Sequence, residues 1–395
     1  MEVVILCGGL GTRLRGVVSA LPKCLAPVGA EAPFLGWLLR WLGTYPLTHV
    51  VFSVGYLKEQ VKSFVESRSW PFPYDFAEED SPLGTGGAIR FALQLCREEQ
   101  VVVLNGDTFY PVDLNALAGG CGAAPVTLAL KPMRDFDRYG TVETARLAEN
   151  GFLPITAFGE KRPCREGLIN GGVYAIDRKR LDLSAFPEKF SFEKAVLEPA
   201  AKAGKLAGWV SDAYFIDIGI PEDYARAQWA IPAWFAVQKA SAALLETDAD
   251  TLFLDRDGVL NRLRPHDYVK TWDEWEWMPG MLPELARWAE KFRRMVLVTN
   301  QRGVGKGLMS DADLSRIHAR MMADILDAGG RLDLILSSTA TDEADPRRKP
   351  NTGMFLEARE LYPDIDPRRS IMLGDSPSDE AFARNCGMAF LPLSF

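Results

Sequence analysis

The chain is poor in histidine and lacks paired cysteines. It has three histidines and six cysteines in 395 residues, and no two cysteines form a CxxC pair. Zinc sites draw on clustered Cys and His side chains, and disulfide scaffolds are typical of small secreted domains. We therefore expect no zinc ion and no disulfide framework, but free thiols in a reducing compartment.

Long hydrophobic runs and an excess of basic residues are also missing. No stretch approaches the roughly 20 apolar residues that a membrane helix needs. The first residues, MEVVILCGG, are typical of a short strand without a basic leader. The net charge of −8 disfavours a nucleic-acid surface, which needs a basic patch. We expect a cytoplasmic protein without membrane or nucleic-acid partners, while a homo-oligomer stays open.

Short β-branched runs alternate with helical patterns along the whole chain. This alternation predicts the α/β class with largely parallel sheets, and 395 residues suggest more than one domain. An Ala-rich segment that ends in acidic residues interrupts the pattern near residues 225–250. We predict two Rossmann-like three-layer domains at 1–230 and 250–395, with 231–249 as a helical linker. The alternative for that segment is a final helix of the first domain.

A glycine-rich turn follows the first strand, in CGGLGTRL. Its glycines would let the backbone approach a phosphate chain that any Cβ would obstruct, and Arg13 and Lys23 could hold the phosphates. The spacing fits neither a dinucleotide fingerprint nor a Walker loop. Taken alone, the turn is equally compatible with a purely structural role. The candidate nucleotide-binding residues here are Leu6, Gly8, Gly9, Gly11 and Thr12.

Three later segments strengthen the prediction of a nucleotide site. SPLGTGGAI is suited to lie flat against a base and ribose through Gly84, Thr85 and Gly86. Asp107 ends the strand VVVLNGD, where open α/β sheets place ligands, and a carboxylate facing a triphosphate is best explained as a Mg²⁺ ligand. Asp217 lies in the apolar segment FIDIGIPEDY. Burial of its charge there costs free energy unless a metal ion or hydrogen bonds compensate.

These segments together resemble the sugar-phosphate nucleotidyltransferase family, with its GT-A-like fold, over about residues 1–230. Four segments resemble those of the heptose 1-phosphate guanylyltransferases within that family: LCGGLGTRL, PLGTGGAI, NGDTF and FSFEK. The resemblance implies in-line attack of a sugar-1-phosphate oxygen on the α-phosphorus of a nucleoside triphosphate, which is GTP for the guanylyltransferases, with release of pyrophosphate. It also implies that Arg13 and Lys23 hold phosphates and that Asp107 and Asp217 hold Mg²⁺. The sugar phosphate would contact Glu160, Lys161 and Asn170. Tyr139 and Gly140, in the DRYGTV turn, would shape the sugar pocket, unless the segment is a plain turn at the start of a strand.

A second set of motifs begins with two aspartates in TLFLDRDGVLN. Asp255 and Asp257 follow the strand-like run TLFL, which disfavours a solvated surface pair. Asp255 can attack phosphorus, while Asp257 gives a proton to the leaving oxygen and later activates water. Further motifs supply groups for phosphate oxygens, for charge neutralisation and for a metal ion, in that order: Thr299 and Asn300, Lys349, and Asp375 with Asp379 nearby.

This order of motifs is similar to that of the haloacid-dehalogenase phosphatases over about residues 250–395. Only short insertions separate the motifs, so a minimal cap is expected. The sequences of these motifs resemble those of the heptose 1,7-bisphosphate phosphatases, and histidinol-phosphate phosphatase domains share much of the same pattern. The resemblance implies Mg²⁺ on Asp255, Asp257 and Asp375, and Arg348 at the distal substrate phosphate unless it is a surface arginine.

One departure from that family concerns the segment before RRKP. Members commonly carry a zinc loop of Cys and His there, whereas this chain reads SSTATDEADPRR. The loop is then held by hydrogen bonds alone, or it is shortened and leaves the substrate entrance more open.

The two resemblances together predict a bifunctional enzyme. Removal of the 7-phosphate from heptose 1,7-bisphosphate would leave heptose 1-phosphate, and transfer of GMP from GTP would give GDP-heptose, a donor for bacterial surface glycans. Two alternatives remain open at this point. The same chemistry could act on another sugar or with UTP or CTP, or one domain could be a regulatory module that binds its ligand without catalysis.

Overall fold

The structure is a computed structural model that describes residues 1–9, 14, 16, 18, 20–145 and 151–395. The chain divides into two compact units, Met1–Gln228 and Trp229–Phe395. Each contains helices packed on a central sheet, and the predicted α/β class with two domains is confirmed. The finer bounds 1–230, 231–249 and 250–395 stay a prediction.

The first unit is built on a mixed sheet whose central strands are almost completely buried. The strands of this unit are β1 Glu2–Leu6, β2 Pro27–Val28, β3 Ala32–Pro33, β4 His49–Val54, β5 Tyr74–Glu78, β6 Gln100–Asn105, β7 Thr108–Phe109, β8 Val126–Phe136, β9 Gly140–Thr144, β10 Leu153–Lys161, β11 Cys164–Asp177, β12 Leu206–Val210 and β13 Ile216–Asp217. Nine of them form one sheet in the order β5-β4-β1-β6-β11-β8-β12-β10-β9. The pairs β2–β3 and β7–β13 form separate ribbons.

This sheet is mixed, and not largely parallel as we expected. Strands β5, β4, β1 and β6 are parallel, but β11 runs antiparallel to both β6 and β8. The physical reason is that parallel neighbours are usually joined by a helical crossover, whereas the described residues between β8 and β11 form only the strands β9 and β10. The long strands β8 and β11 therefore pair as antiparallel neighbours.

Helices cover the sheet of the first unit and bury its apolar residues. They are α1 Phe34–Leu42, α2 Lys58–Glu66, α3 Gly84–Leu93, α4 Leu114–Gly119, a π-helix at Glu193–Leu197 and α5 Glu198–Lys202, with 3₁₀ turns at Lys23–Leu25 and Gly120–Gly122. One core cluster joins Val4 of β1 and Val103 of β6 to Ile89 of α3. Because β1 and β6 are in register, their carboxyl ends lie side by side at Leu6 and Asn105.

The second unit has a five-stranded parallel sheet. Its strands are β14 Thr251–Leu254, β15 Arg294–Asn300, β16 Leu334–Ser338, β17 Ser370–Gly374 and β18 Ala389–Pro392, in the order β16-β15-β14-β17-β18. Its helices are α7 Met281–Lys291, α8 Arg302–Gly305, α9 Asp311–Asp327, α10 Gly353–Leu361 and α11 Pro377–Cys386, with 3₁₀ turns at Trp272–Glu274 and Pro367–Arg369. Leu254 pairs with Leu297 and Leu373, so β14, β15 and β17 end at one edge.

A long helix, α6 Pro221–Glu246, contains most of the segment that we predicted as a linker. Its side chains Ala233, Val237, Ala240 and Leu244 recur every three or four residues and are buried in a core cluster of the second unit. This part of the helix therefore packs into the second unit as a core element. Residues 255–280 carry one 3₁₀ turn, so no further domain is inserted after β14. Among the residues that the structure describes, no helix has the length and hydropathy that a bilayer crossing needs.

Candidate active sites

The first unit brings two distant carboxylates together. Asp107 follows β6, and Asp217 ends β13, which pairs with β7 so that Asp217 lies opposite Thr108. The Ile218 N–H also donates to the Asp107 carbonyl at 3.0 Å. A Cβ on Gly106 would lie 2.5 Å from the Leu6 carbonyl oxygen, so the turn after β6 requires glycine. The ribbon therefore holds both predicted metal ligands at the carboxyl edge of the sheet.

Lys23 lies between these two carboxylates. Its Nζ is 2.6 Å from Asp107 Oδ2 and 3.4 Å from Asp217 Oδ1. Burial raises the pKa of Asp217, and the Asp107 charge adds to the increase, while Lys23 opposes it. One ammonium against two carboxylates leaves local negative charge that a cation can neutralise. Mg²⁺ is commonly held by one or two carboxylates together with substrate phosphates, so this pair of oxygen donors fits that ion.

Two cavities adjoin this group. One of about 280 Å³ is lined by Lys23, Asp107 and the predicted nucleotide-binding residues Leu6, Gly9 and Thr85. The other, of about 330 Å³, is also lined by Leu6 and Thr85. The two cavities therefore share part of their walls beside the carboxylates, as two reacting substrates would require.

The second cavity collects most of the predicted sugar-phosphate residues. Gly140, Lys161 and Asn170 line it, whereas the exposed Glu160 of β10 is not among its lining residues. Asn170 Nδ2 donates to the Tyr174 hydroxyl at 3.0 Å, and its Oδ1 accepts from the Gly172 N–H at 3.0 Å. The Asn170 side chain is thus fixed at the cavity wall.

Three charged residues of this cavity were not predicted. Arg138 and Asp223 line it and form an ion pair at 2.9 Å, and Glu193 lines it from the π-helix. Glu193 and Asp223 lie inside the quoted motifs FSFEK and FIDIGIPEDY, and Arg138 lies two residues before the predicted Gly140. The motifs could therefore have pointed to these residues. The ion pair between Arg138 and Asp223, however, joins residues 85 positions apart, and the sequence does not predict that contact.

The second glycine-rich turn is explained by packing. Gly84 has φ +70°, and a Cβ there would lie 2.6 Å from the Phe190 carbonyl oxygen, while a Cβ on Gly86 would lie 2.2 Å from the Phe190 ring. Thr85 Oγ1 accepts from the Phe192 N–H at 2.9 Å. Of the three predicted residues, Thr85 lines both cavities, and the two glycines permit close approach of the chain at Phe190.

The first glycine-rich turn is described in part. A Cβ on Gly8 would lie 3.0 Å from Glu79 Oε1, and a Cβ on Gly9 would meet nothing within 4 Å. Gly11, Thr12 and Arg13 lie outside the described residues, so their predicted contacts with phosphates stay predictions.

In the second unit, three carboxylates gather at the carboxyl edge of the sheet. Oxygen atoms of Asp255, Asp375 and Asp379 all lie within 4.8 Å of one another. Asp255 follows β14 and Asp375 follows β17, two neighbouring strands. Gly258 has φ +86°, and a Cβ there would lie 2.0 Å from Asp375 Oδ2, so glycine is required for this approach. The all-oxygen donor set fits Mg²⁺.

A buried lysine completes this group. Lys349 Nζ lies 2.8 Å from Asp255 Oδ1 and 2.5 Å from Asp379 Oδ1. Burial raises the pKa of Asp255 to about 7 although Lys349 opposes the increase. Burial and the Asp379 charge raise the pKa of Asp375 to about 6. Burial disfavours the Lys349 ammonium, but the two carboxylates outweigh it and raise the pKa of Lys349.

Asp257 has a different environment and is not part of the three-carboxylate group. Both of its carboxylate oxygens accept from Arg256 Nη2 at 3.0 Å, and it also accepts from Asn261 Nδ2 at 3.0 Å and Gln301 Nε2 at 2.8 Å. Burial raises the pKa of Asp257, but the Arg256 charge and these hydrogen bonds outweigh burial and lower it. Arg256, Asn261 and Gln301 were not predicted, although each adjoins a predicted residue or motif.

The remaining predicted residues have defined partners. Thr299 Oγ1 accepts from Gln301 Nε2 at 2.8 Å. Asn300 Nδ2 donates to the Lys349 carbonyl, and Asn300 Oδ1 accepts from the Lys349 N–H, both at 3.0 Å. Arg348 is 8% exposed; it donates to the Ala340 carbonyl at 3.3 Å and faces the Glu343 carboxylate at 3.5 Å.

Hydrogen bonds hold the loop that departs from the family pattern. Asn351 Nδ2 donates to the carbonyls of Glu343 and Asp345, both at 2.8 Å. The side chains of Asp342 and Asp345 accept from backbone N–H groups of the same loop. Of the two alternatives for this loop, the structure therefore shows one that is held by its own polar groups.

Each unit thus combines a sheet packed against helices, carboxylates at the carboxyl edge of that sheet and a lysine between them. This combination is typical of enzymes that catalyse reactions at phosphorus. A family model described as nucleotidyl transferase matches residues 2–233, and one described as haloacid dehalogenase-like hydrolase matches residues 178–387. Each match covers more than half of the chain, which therefore belongs to both families. The matches overlap over 178–233, although the structure places 178–228 in the first unit.

Individual relatives match each half separately. The D-glycero-alpha-D-manno-heptose 1-phosphate guanylyltransferase of Aneurinibacillus thermoaerophilus is 44% identical over 230 residues, which are 58% of this chain and 97% of that protein. The D-glycero-alpha-D-manno-heptose-1,7-bisphosphate 7-phosphatase of Mycobacterium bovis is 40% identical over 142 residues, 35% of this chain and 73% of that protein. The crystal structure of HddC from Yersinia pseudotuberculosis complexed with GMP-PN is 32% identical, with a TM-score of 0.50, over 57% of this chain and 97% of that chain. The prediction of an enzyme that combines these two families is confirmed.

Proposed function

We propose that this protein carries out two consecutive steps on one sugar. Its second unit removes the 7-phosphate of D-glycero-D-manno-heptose 1,7-bisphosphate, and its first unit transfers GMP from GTP to the resulting heptose 1-phosphate. One observation carries the proposal. Separate carboxylate–lysine sites lie in two units of one chain, and relatives of the two halves are named for reactions in which the product of one is the substrate of the other.

In the phosphatase reaction, Asp255 is the nucleophile. Its carboxylate oxygen forms a bond to the phosphorus of the 7-phosphate, and the bond from phosphorus to the sugar oxygen breaks. Lys349, 2.8 Å from Asp255, favours the ionised nucleophile and neutralises charge on the transferred group. The negative charge of the bound 7-phosphate raises the pKa of Asp257, so that it can hold a proton. Asp257 gives this proton to the departing sugar oxygen and then takes a proton from the water that hydrolyses the phosphoaspartate. When bound to Asp255, Asp375 and Asp379, Mg²⁺ would offset charge on the phosphoryl oxygens.

In the nucleotidyl transfer, the chain acts mainly by positioning. A phosphate oxygen of heptose 1-phosphate forms a bond to the α-phosphorus of GTP, and the bond to the β-phosphate oxygen breaks to release pyrophosphate. No covalent enzyme intermediate is required, so rate enhancement comes from alignment and charge neutralisation. Lys23 holds phosphate oxygens beside the smaller cavity, while Lys161 and Asn170 face the sugar phosphate in the larger one. Asp107 and Asp217 would hold Mg²⁺, which would neutralise negative charge on the triphosphate.

The order of steps follows from the substrates. Attack on GTP uses the phosphate on carbon 1, which must remain on the sugar, whereas the phosphate on carbon 7 is removed. The bisphosphatase must therefore choose between two phosphates, while the transferase needs a sugar that carries one.

The experiment that tests the proposal measures the two half-reactions separately with Mg²⁺. Heptose 1,7-bisphosphate alone should release one equivalent of inorganic phosphate. Heptose 1-phosphate with GTP should give pyrophosphate and GDP-heptose, and it should do so faster than with ATP, UTP or CTP. Equal rates with all four triphosphates would refute the choice of GTP. Failure of one half-reaction, with ligand binding retained, would instead make that unit a regulatory module.

A further inference from the structure

Three consecutive side chains at the end of β15 contact different parts of the second site. Thr299, Asn300 and Gln301 follow one another at the carboxyl edge of the sheet. Gln301 Nε2 donates to Thr299 Oγ1 and to Asp257 Oδ2, both at 2.8 Å, so one amide bridges the Thr299 hydroxyl and the proposed general acid. Gln301 is completely buried, so water does not compete for this contact.

Asn300 acts on Lys349 through the backbone. Its amide donates to the Lys349 carbonyl and accepts from the Lys349 N–H, both at 3.0 Å, in the way that a strand pairs with its neighbour. The Lys349 ammonium in turn lies between Asp255 and Asp379. Because the lysine is 2% exposed, a shift of its backbone has no solvent-filled space in which the side chain can compensate.

The tripeptide is itself held rigidly by the sheet. Thr299 pairs with Ser337 and Asn300 with Ser338 in the parallel ladder, and the Gln301 N–H donates to the Ser338 carbonyl at 2.7 Å. A side chain on this backbone can therefore fix its partner to within a few tenths of an ångström, which side chains on mobile loops cannot do.

We infer that Asn300 and Gln301 are positioning residues of the phosphatase site, with Asn300 setting the place of Lys349 and Gln301 that of Asp257. This inference rests on the proposed phosphatase function. Both residues carry neutral amides, which fix geometry without adding charge to a cluster of carboxylates. The partners of Asn300 and Gln301 act on different events. Lys349 neutralises charge at the transferred phosphoryl group, and Asp257 supplies the proton for the leaving oxygen.

The test uses the full chain and two substrates with different leaving groups, heptose 1,7-bisphosphate and p-nitrophenyl phosphate. Nitrophenolate leaves without a proton, whereas a sugar oxygen needs one. Asn300→Ala should slow phosphoenzyme formation about 10- to 100-fold with both substrates. Gln301→Met should slow the sugar reaction by a similar factor, but change the initial burst of nitrophenolate less than threefold. The KM for the bisphosphate should change less than threefold in both variants.

Matched controls separate positioning from folding. Nucleotidyl transfer by the same molecules should stay at the wild-type rate. Asn385→Ala removes an exposed asparagine that donates to the Pro350 carbonyl at 2.9 Å, and it should keep the wild-type phosphatase rate. Asn300→Asp keeps an acceptor for the Lys349 N–H, but it loses the donor to the Lys349 carbonyl and adds a charge, so it should lose phosphatase activity as Asn300→Ala does. If the alanine variant does not fold, this aspartate variant decides the Asn300 half of the inference.

Two results would overturn the inference. One is wild-type kcat in both Asn300→Ala and Gln301→Met; the other is an equal loss with both substrates in Gln301→Met. Absence of phosphate release from the wild-type protein would instead refute the proposed function, so the two failures can be told apart.

Discussion

The two sites use the same residue types in different surroundings. In the first unit, Lys23 lies between Asp107 and Asp217, whose side chains are 38% and 28% exposed. In the second, Lys349 lies between Asp255 and Asp379, whose side chains are 11% and 0% exposed. The open arrangement suits alignment of two large substrates, while the closed one suits a carboxylate that must itself attack. Burial, more than residue identity, therefore separates a site that positions from a site that forms a covalent bond.

Replacement of the buried nucleophile should give the largest effect. Asp255→Asn removes the attacking oxygen and should reduce phosphate release at least ~1,000-fold, because covalent catalysis has no substitute group there. Nucleotidyl transfer should stay within twofold of wild type. Phosphate and pyrophosphate release are measured on the same preparation, with the exposed Asp327→Asn as the matched control. Equal loss of both activities would contradict the separation of the two sites.

The reciprocal change in the open site should have a somewhat smaller effect. Lys23→Met removes the ammonium 2.6 Å from Asp107 and should slow nucleotidyl transfer about 100-fold, a loss typical of one electrostatic contact to a reacting phosphate. Initial rates of pyrophosphate release report this change. The exposed Lys205→Met serves as control and should behave as wild type. A phosphatase defect in Lys23→Met would show that the sites are coupled.

A glycine substitution tests whether the LGTGGA turn acts through packing. Gly84→Ala places a Cβ 2.6 Å from the Phe190 carbonyl at a positive φ, so we expect a loss of about 1–3 kcal/mol. For a unit of this size, the Tm of the first unit should fall by about 5 °C. Calorimetry measures the change. Gly122→Ala, where a Cβ meets nothing within 4 Å, is the control. An unchanged Tm with a raised KM for GTP would favour direct binding over packing.

The smallest effect concerns protons and Mg²⁺ in the buried site. Since the pKa values of Asp255 and Asp375 rise to about 7 and 6 on folding, the folded state binds more protons than the unfolded state between about pH 4 and 7. These two groups therefore lower stability as the pH rises through that range. Mg²⁺ binds the ionised forms, so its stabilisation of the second unit should be about 2–4 °C larger at pH 8 than at pH 5.

Thermal unfolding in EDTA and in Mg²⁺ measures this difference. Asp255→Asn removes one of the two groups and should reduce the pH dependence of the Mg²⁺ effect. The same Mg²⁺-induced Tm shift at both pH values would contradict the assignment of these carboxylates as the ligands.

The sequence was sufficient to predict groups that lie at strand ends. Asp107, Asp255 and Asp375 each follow a short apolar run, and because parallel strands end at one edge, a linear pattern predicts spatial proximity. The α/β class follows from the same alternation of strands and helices. Lys349 was also predicted, because a basic residue just before a helix, within an ordered set of motifs, can neutralise charge at the nucleophile.

Contacts between distant segments could not be predicted in this way. The glycines of the LGTGGA turn contact Phe190, about a hundred residues later, and neither segment carries a pattern that predicts this contact. Asn300 carries polar groups that suit a phosphate, yet its amide is bonded to the backbone of Lys349. Hydrogen-bonding capacity is a property of one residue, whereas the partner is set by the fold.

The most direct test of the account follows one reaction mixture by ³¹P NMR. Wild-type protein receives Mg²⁺, GTP and heptose 1,7-bisphosphate, and the signals of inorganic phosphate, pyrophosphate and GDP-heptose are recorded over time. The account predicts that inorganic phosphate appears first and that pyrophosphate and GDP-heptose then rise together in equal amounts. Asp255→Asn should produce none of these from the bisphosphate but normal GDP-heptose from heptose 1-phosphate. Formation of a GDP-sugar by Asp255→Asn from the bisphosphate, or phosphate release by the wild type without any GDP-heptose, would contradict it.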